Sequence, residues 1–251
     1  MTAPIPRDIP DLPAVPGPPR LLPSPVPATA VLPPVRRPLV AGFRALTALL
    51  ALTGVTVELL LGGPPTRTLS HFTTQSSILL ALVLLASARR AWSARRPLPG
   101  ALTGAALLYV AAAGLVHHLL LANAASPFTM AEGTGTGTGW HSVAAHLLNT
   151  AVPVAAALDW LLLTAPGRLH LRQAAAWLLY PLAYLALSLA RGELLLPGTQ
   201  DRYLYPFLDV DQHGYKGVLG NSLLLGLSLY ALGALLVALD HIRPNPLRRR
   251  W

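Results

Sequence analysis

The chain contains no cysteine. Disulfides, thiolate metal sites and cysteine nucleophiles are therefore excluded at once. Charge is also scarce: 12% of the 251 residues are Asp, Glu, Lys or Arg, roughly half the ~25% of a soluble domain. What fills the gap is apolar, with 53% hydrophobic residues and a mean hydropathy of +0.51. Lipid, rather than water, covering most of the surface accounts for both numbers. The net charge of +9 would point to nucleic acid only if the cations formed one patch on a folded face.

Proline is plentiful but unevenly placed. Thirteen of the 25 prolines lie between Pro4 and Pro38. Proline has no amide donor and disfavours helix in its predecessor, so residues 1–38 read as a disordered, polyproline-like tail. No apolar run follows a basic start there, so the tail is not a secretory signal.

Six apolar stretches follow, near Leu39–Leu61, Leu69–Ala88, Leu102–Ala122, His141–Leu163, Gln173–Leu189 and Val218–Leu239. Each reaches the roughly 17–25 residues needed to cross a hydrocarbon core about 30 Å thick. Backbone groups in lipid must be satisfied internally, so the expectation is an all-α bundle of six transmembrane helices over residues 39–242. A kink is expected at Pro181 in the fifth. Residues 243–251 form a short basic tail.

Fifteen of the 19 basic residues fall in the amino-terminal tail, beside it, between spans two and three, between spans four and five, or at the carboxyl end; only Arg67, Arg191, Arg202 and Lys216 fall on the other side. The positive-inside rule then places both termini in the cytoplasm of a cell-membrane protein, bacterial by its Ala-, Leu- and Arg-rich composition. Cations flanking membrane spans meet anionic lipid, which removes nucleic acid as a partner and leaves membrane lipid.

With that orientation, intramembrane polar residues gather toward the outer face. Glu58 ends the first span and His71 to Ser77 open the second. His117 and His118 end the third, and His141, His146 and Asn149 follow one another down the fourth. Such groups are costly in lipid and ordinarily face the bundle interior. His146 and Asn149 are three apart and are expected on one helix face. His117 and His118 are adjacent and cannot both face one pocket. No dense ligand spacing points to a metal, and no cofactor is implied. Tyr205, Phe207 and Asp209 belong to a loop too aromatic for a solvated linker, expected to pack over the outer mouth of a polar pocket.

The run His71-Phe72-Thr73-Thr74-Gln75-Ser76-Ser77 looks like an F-T-x-Q-S-N signature, Asn149-Thr150-Ala151-Val152-Pro153 like H-T-x-x-P, and Tyr205-Pro206-Phe207-Leu208-Asp209 like Y-P-F-L-D/E. In order and spacing these resemble the bacterial six-helix branch of the androgen-induced membrane protein family, whose animal members include the androgen-dependent TFPI-regulating protein. The resemblance spans roughly residues 39–242. It implies a hydrolase of fatty acids esterified to hydroxy fatty acids, with Thr73 as nucleophile and its partner histidine at position 149. Here that position is Asn149, and an amide cannot accept the threonine proton. Ser77 likewise stands where the pattern has Asn. Two expectations follow. In one, His146 serves as general base for Thr73, Asn149, Gln75 or Ser76 stabilise the oxyanion, and His117 or His118 with Tyr205, Phe207 and Asp209 line the substrate. In the other, the protein binds lipid or serves the membrane structurally without catalysis. A small transporter using Glu58, His117 and Asp159 is a third reading, weakened because the polar residues lie on one side and form no path across.

The charge asymmetry is directly testable. Reporters fused after Arg96 or Arg250 are expected in the cytoplasm, and one inserted within Gly133–Gly139 outside. A cytoplasmic Gly133–Gly139 reverses the orientation.

Overall fold

The computed structural model describes residues 35–123, 125–129, 139–196, 199 and 202–244. The tail up to residue 34, most of the glycine–threonine stretch and Arg248 to Trp251 lie outside the described residues. Among the described residues there is no strand, and six helices are long and apolar enough to cross a membrane. They are α1 Pro38–Leu61, α2 Phe72–Trp92, α3 Gly100–Leu121, α4 Trp140–Leu163, α5 Leu171–Leu194 and α6 Val210–Ile242. The expected six-helix, all-α membrane bundle is what the chain forms.

Lipid tails are as apolar as leucine, so helices associate in a membrane mainly through close packing, favoured by small residues. Helix α1 presents Ala41, Ala48, Ala51 and Gly54 to the interior, and α2 presents Ser77, Ala81 and Ala88. These two helices form the most extensive pair in the bundle. Large side chains point outward instead, including Leu46, Leu49, Leu82, Leu85, Leu219 and Leu223, as expected where lipid is the solvent.

Several boundaries differ from the sequence reading, each for a physical reason. A six-residue helix, Pro65–Ser70, precedes α2, and the extended backbone of His71 (ψ 134°) separates the two. Helix α6 begins eight residues early because Asp209 caps it, accepting the amides of Asp211 at 2.9 Å and Gln212 at 3.2 Å. Gly214, at φ 65°, then breaks the helix in a conformation that glycine tolerates. In α5 the break falls at Leu178, before Pro181. Pro181 has no N–H for the Trp177 carbonyl four residues back. The Tyr109 hydroxyl of α3 donates to that carbonyl instead, at 2.8 Å.

Pro153 acts similarly in α4. It offers no amide to the Asn149 carbonyl, and the preceding turn widens into a π-helix over Leu147–Ala151, where Val152 N–H reaches Leu147 O. Gly114 of α3 packs against the freed carbonyl so closely that a Cβ there would lie 2.7 Å from Asn149 O.

The end of the bundle that carries both helix termini, the starting end of α1 and the finishing end of α6, holds a dense ion network. Asp240 of α6 accepts the backbone amides of Arg168 at 2.7 Å and Leu169 at 2.9 Å. Its other oxygen accepts Arg243 at 2.8 Å. Arg243 lies over the Trp160 ring at 4.5 Å and donates to the Trp160 carbonyl, while Arg168 donates to Leu98 O. Nearby, buried Arg44 of α1 donates to Asp159 of α4 at 2.8 Å and to Thr164 at 3.1 Å. Basic residues that flank the spans at this end thus meet Asp159 and Asp240, and together they tie α1, α4 and α6 to the connection between α4 and α5. Asp159 is engaged by Arg44 and is no free relay.

Removing one partner of a buried ion pair costs about 3–5 kcal/mol. Asp240→Ala is therefore expected to lower the thermal unfolding midpoint of the solubilised protein by several degrees. Asp240→Asn, which keeps an acceptor for the two amides, loses less.

Candidate functional site

At the opposite end of the bundle, the start of α2 is built into a cage of aromatic rings. The first backbone amides of a helix have no partner within it, and His71 provides no side-chain cap. The Tyr205 hydroxyl fills the role, accepting Phe72 N–H at 3.1 Å. Phe72 itself meets Tyr180 and Tyr184 of α5, each at 5.3 Å, and Tyr109 of α3 at 6.3 Å. Tyr205 stacks on Phe207 at 5.2 Å and meets His71 edge-on at 5.8 Å. Tyr184 donates to Ser70 O at 3.0 Å. The loop Tyr205–Leu208 is buried beneath this layer, so it packs on the bundle as its aromatic content led us to expect.

Thr73 lies at the edge of the cage. It lines a cavity of about 460 Å³ bounded by α2, α3, α5, α6 and the aromatic loop, with Ala112, Val116, Pro181, Leu185, Leu223 and Gly226 among its walls. The volume falls within the ~300–1,000 Å³ of small-molecule sites. The cavity opens sideways because α5 packs on α6 mainly through Leu171–Trp177, leaving their other halves apart. Its polar groups are few: Thr73, Ser222 and the tyrosines Tyr184, Tyr205 and Tyr230. A polar pocket was expected; this cavity is mostly apolar, with a few hydroxyl groups on its walls.

Burial pushes the Tyr205 phenol above the ordinary tyrosine range, against the pull of hydrogen bonds from the Thr73 hydroxyl and the Phe72 and Thr73 backbone. At neutral pH it is a neutral hydrogen-bonding group, and Thr73 has a phenol beside it rather than a base.

The remaining site residues divide as follows. Tyr205 and Phe207 share the cavity with Thr73. Gln75 is committed elsewhere, accepting from Tyr180 at 3.0 Å and donating to Leu69 O at 3.0 Å. Buried Ser76 back-bonds to Thr73 O at 3.0 Å, and Asp209 caps α6. Asn149 is buried; its amide nitrogen donates to Ala145 O at 3.1 Å, and its Oδ1 has no partner among the described residues. His146 is exposed. The two were expected on one face, but the π-turn begins directly after His146 and rotates Asn149 inward. His118 is exposed on α3 and shares a 2.9 Å hydrogen bond with Thr150 of α4, with His117 edge-on to it at 5.1 Å. Among the described residues, no hydrogen bond joins Thr73 to His146 or Asn149, and neither His117 nor His118 lines the cavity.

Sequence reasoning missed the tyrosines at 109, 180 and 184. The signal was available for Tyr180 and Tyr184, which sit four apart inside a span and share a face. Thr74 and Ser77, part of the polar run that opens α2, are both buried, with the Ser77 hydroxyl unpartnered among the described residues.

Compared with protein-family models, with curated proteins and with solved structures, the chain matches none.

Tyr205→Phe removes the acceptor for Phe72 N–H. An unsatisfied buried donor costs about 1–3 kcal/mol, so the variant is expected to unfold at lower temperature. The start of α2 should also exchange its amide hydrogens faster than in the parent.

Proposed function

We propose that this multi-pass membrane protein binds an acyl lipid in the lateral cavity between α3, α5 and α6, with the lipid's polar end at Thr73 and Tyr205. The observation that carries the reading is the cavity itself: mostly apolar walls, exposed leucines at its rim, and the Thr73 and Tyr205 hydroxyls beside each other on its wall. A chain entering from the bilayer exchanges one apolar medium for another, so it gains little hydrophobic energy. Shape and the head hydroxyls are what select the ligand.

Hydrolysis of a fatty-acid ester is the second reading, supported by Thr73 lining the cavity. The resemblance to the androgen-induced family makes it specific. A threonine hydroxyl needs a base to attack an ester. Asn149 supplies none, and His146 is exposed on the far side of a π-turn. Binding is therefore the preferred conclusion.

Gly226 lies on the cavity wall, and a Cβ built there meets nothing within 4 Å. Gly226→Phe should therefore fill the cavity without moving the backbone. Native mass spectrometry of the wild type is expected to show a co-purified acyl lipid, and Gly226→Phe should lose it while unfolding at the same temperature. Equal retention places the lipid elsewhere. For the second reading, a fluorophosphonate probe should label the wild type at Thr73 if hydrolysis occurs, and Asn149→His should raise that labelling. A wild type and an Asn149→His variant that both stay unlabelled leave binding alone.

A further inference from the structure

The end of the bundle closed by Asp240 carries more cations than that network uses. Arg44, Arg168 and Arg243 are engaged inside the protein, by Asp159, Leu98 O and Asp240. A second group stands at the corner where α1 starts and α2 finishes: Arg36, Arg37, Arg89, Arg90, Arg95 and Arg96, all exposed.

The backbone holds these six together. Helix α2 ends at Trp92, and Ala94 then turns the chain back at φ 53°. The reversal lets Arg95 N–H reach Arg90 O at 2.8 Å, and the Arg90 guanidinium donates to Arg96 O at 3.2 Å. Arg89, Arg90, Arg95 and Arg96 are therefore gathered around one turn. The start of α1 is tied to the same place, because Arg37 N–H donates to Ala91 O at 3.1 Å.

No acid meets this corner. Among the described residues, the carboxylates at this end are Asp159 and Asp240, and both are engaged by the buried network. The six guanidinium groups form no ion pair among the described residues. Guanidinium keeps its charge throughout the physiological pH range, so like charges crowd one corner and repel until an anion arrives. The surface beside them is apolar: Leu39 is 82% exposed and Trp92 61%. An indole at the end of a span favours headgroup depth. Cations beside bare apolar side chains fit a molecule that carries its anion on an acyl tail. RNA or an acidic protein segment would leave Leu39 and Trp92 unmatched.

We propose that this corner is a docking site for anionic phospholipid, whose phosphates are held by the arginines of α1 and α2 while Leu39 and Trp92 rest against its acyl chains. Neither the Thr73 cavity nor a second one of about 560 Å³ between α3 and α6, lined by Leu115, Leu119 and Asn221, includes any of these six residues. The site therefore stands whether or not the Thr73 cavity binds lipid.

The test is native mass spectrometry of the full chain in detergent, with equimolar phosphatidylglycerol and phosphatidylcholine of identical acyl chains. Phosphatidylglycerol should be retained at least about tenfold over phosphatidylcholine. Each basic residue facing an anionic lipid shifts affinity about fivefold, so Arg89→Gln combined with Arg90→Gln should erase the preference. Arg172→Gln removes the same charge from the exposed start of α5 and should leave the preference intact. Gly226→Phe, in the Thr73 cavity, should also leave it intact. Unfolding of each variant at the parent temperature shows that the fold is kept. Arginines also steer insertion, so a second measurement uses the unaltered protein. Raising ammonium acetate from about 0.1 to about 1 M should weaken phosphatidylglycerol retention severalfold. Equal retention of the two lipids, a preference unmoved by both the double variant and salt, or an equal loss in Arg172→Gln overturns the site. Displacement of phosphatidylglycerol by an equimolar short RNA likewise overturns it.

Discussion

The architecture depends on how Asp240 closes one end of the bundle. A buried carboxylate in a membrane protein persists only when its oxygens are fully occupied, and Asp240 receives two backbone amides and an arginine. Those donors come from the connection between α4 and α5 and from the end of α6, while Arg243 extends the contact to Trp160. Helices α4, α5 and α6 are thereby fixed to each other at one end. With that end held, α5 and α6 need not pack along their whole length. Their other halves diverge, and the space between them is the first cavity.

Two prolines shape the opposite half by what they lack. Each removes one amide from a helix ladder and leaves a carbonyl to be satisfied in another way. For Pro181 the answer is a tyrosine from the neighbouring helix, which also brings Tyr109 to 4.7 Å from Tyr180 and so builds the aromatic cage. For Pro153 the answer is a wider turn and the close approach of Gly114. That wider turn also separates His146 from Asn149. The first is left at the lipid-facing surface and the second inside the bundle. The same turn aims Thr150 at His118.

How far the sequence could be read follows from which features are periodic. The six spans rest on length and composition, which survive any detail of packing, and all six appear, five of them within about five residues of expectation and the sixth extended by the Asp209 cap. The aromatic loop was legible because Tyr205 and Phe207 have no reason to cluster in water. The face-sharing of His146 and Asn149 was not, since it assumed an unbroken 3.6-residue repeat where Pro153 signals otherwise. Asp240 was hidden for another reason. It is one acid in the last turns of a span, followed by basic residues, and its partners are backbone amides that carry no sequence mark. Gln75 and Ser76 show the remaining gap: a polar residue in a span can be spent wholly within the protein, and only the partner list reveals it.

The two cavities show what recognition in a bilayer must rely on. In water, burying each methylene of a ligand contributes about 0.8 kcal/mol, and an aliphatic pocket alone gives affinity. Inside lipid that contribution is nearly absent for a chain, because the chain leaves an apolar medium to enter another. Aliphatic walls such as Leu115, Leu119 and Leu223 can therefore select length and shape but contribute little to affinity. Discrimination falls to the few hydroxyls and the Asn221 amide on the cavity walls. Thr73 with Tyr205 offers neutral donors and acceptors, suited to an uncharged ester or hydroxyl. Phe207 lines both cavities together with Ala112 and Val116 of α3 and Leu225 and Leu229 of α6, so the contact between α3 and α6 is the wall they share.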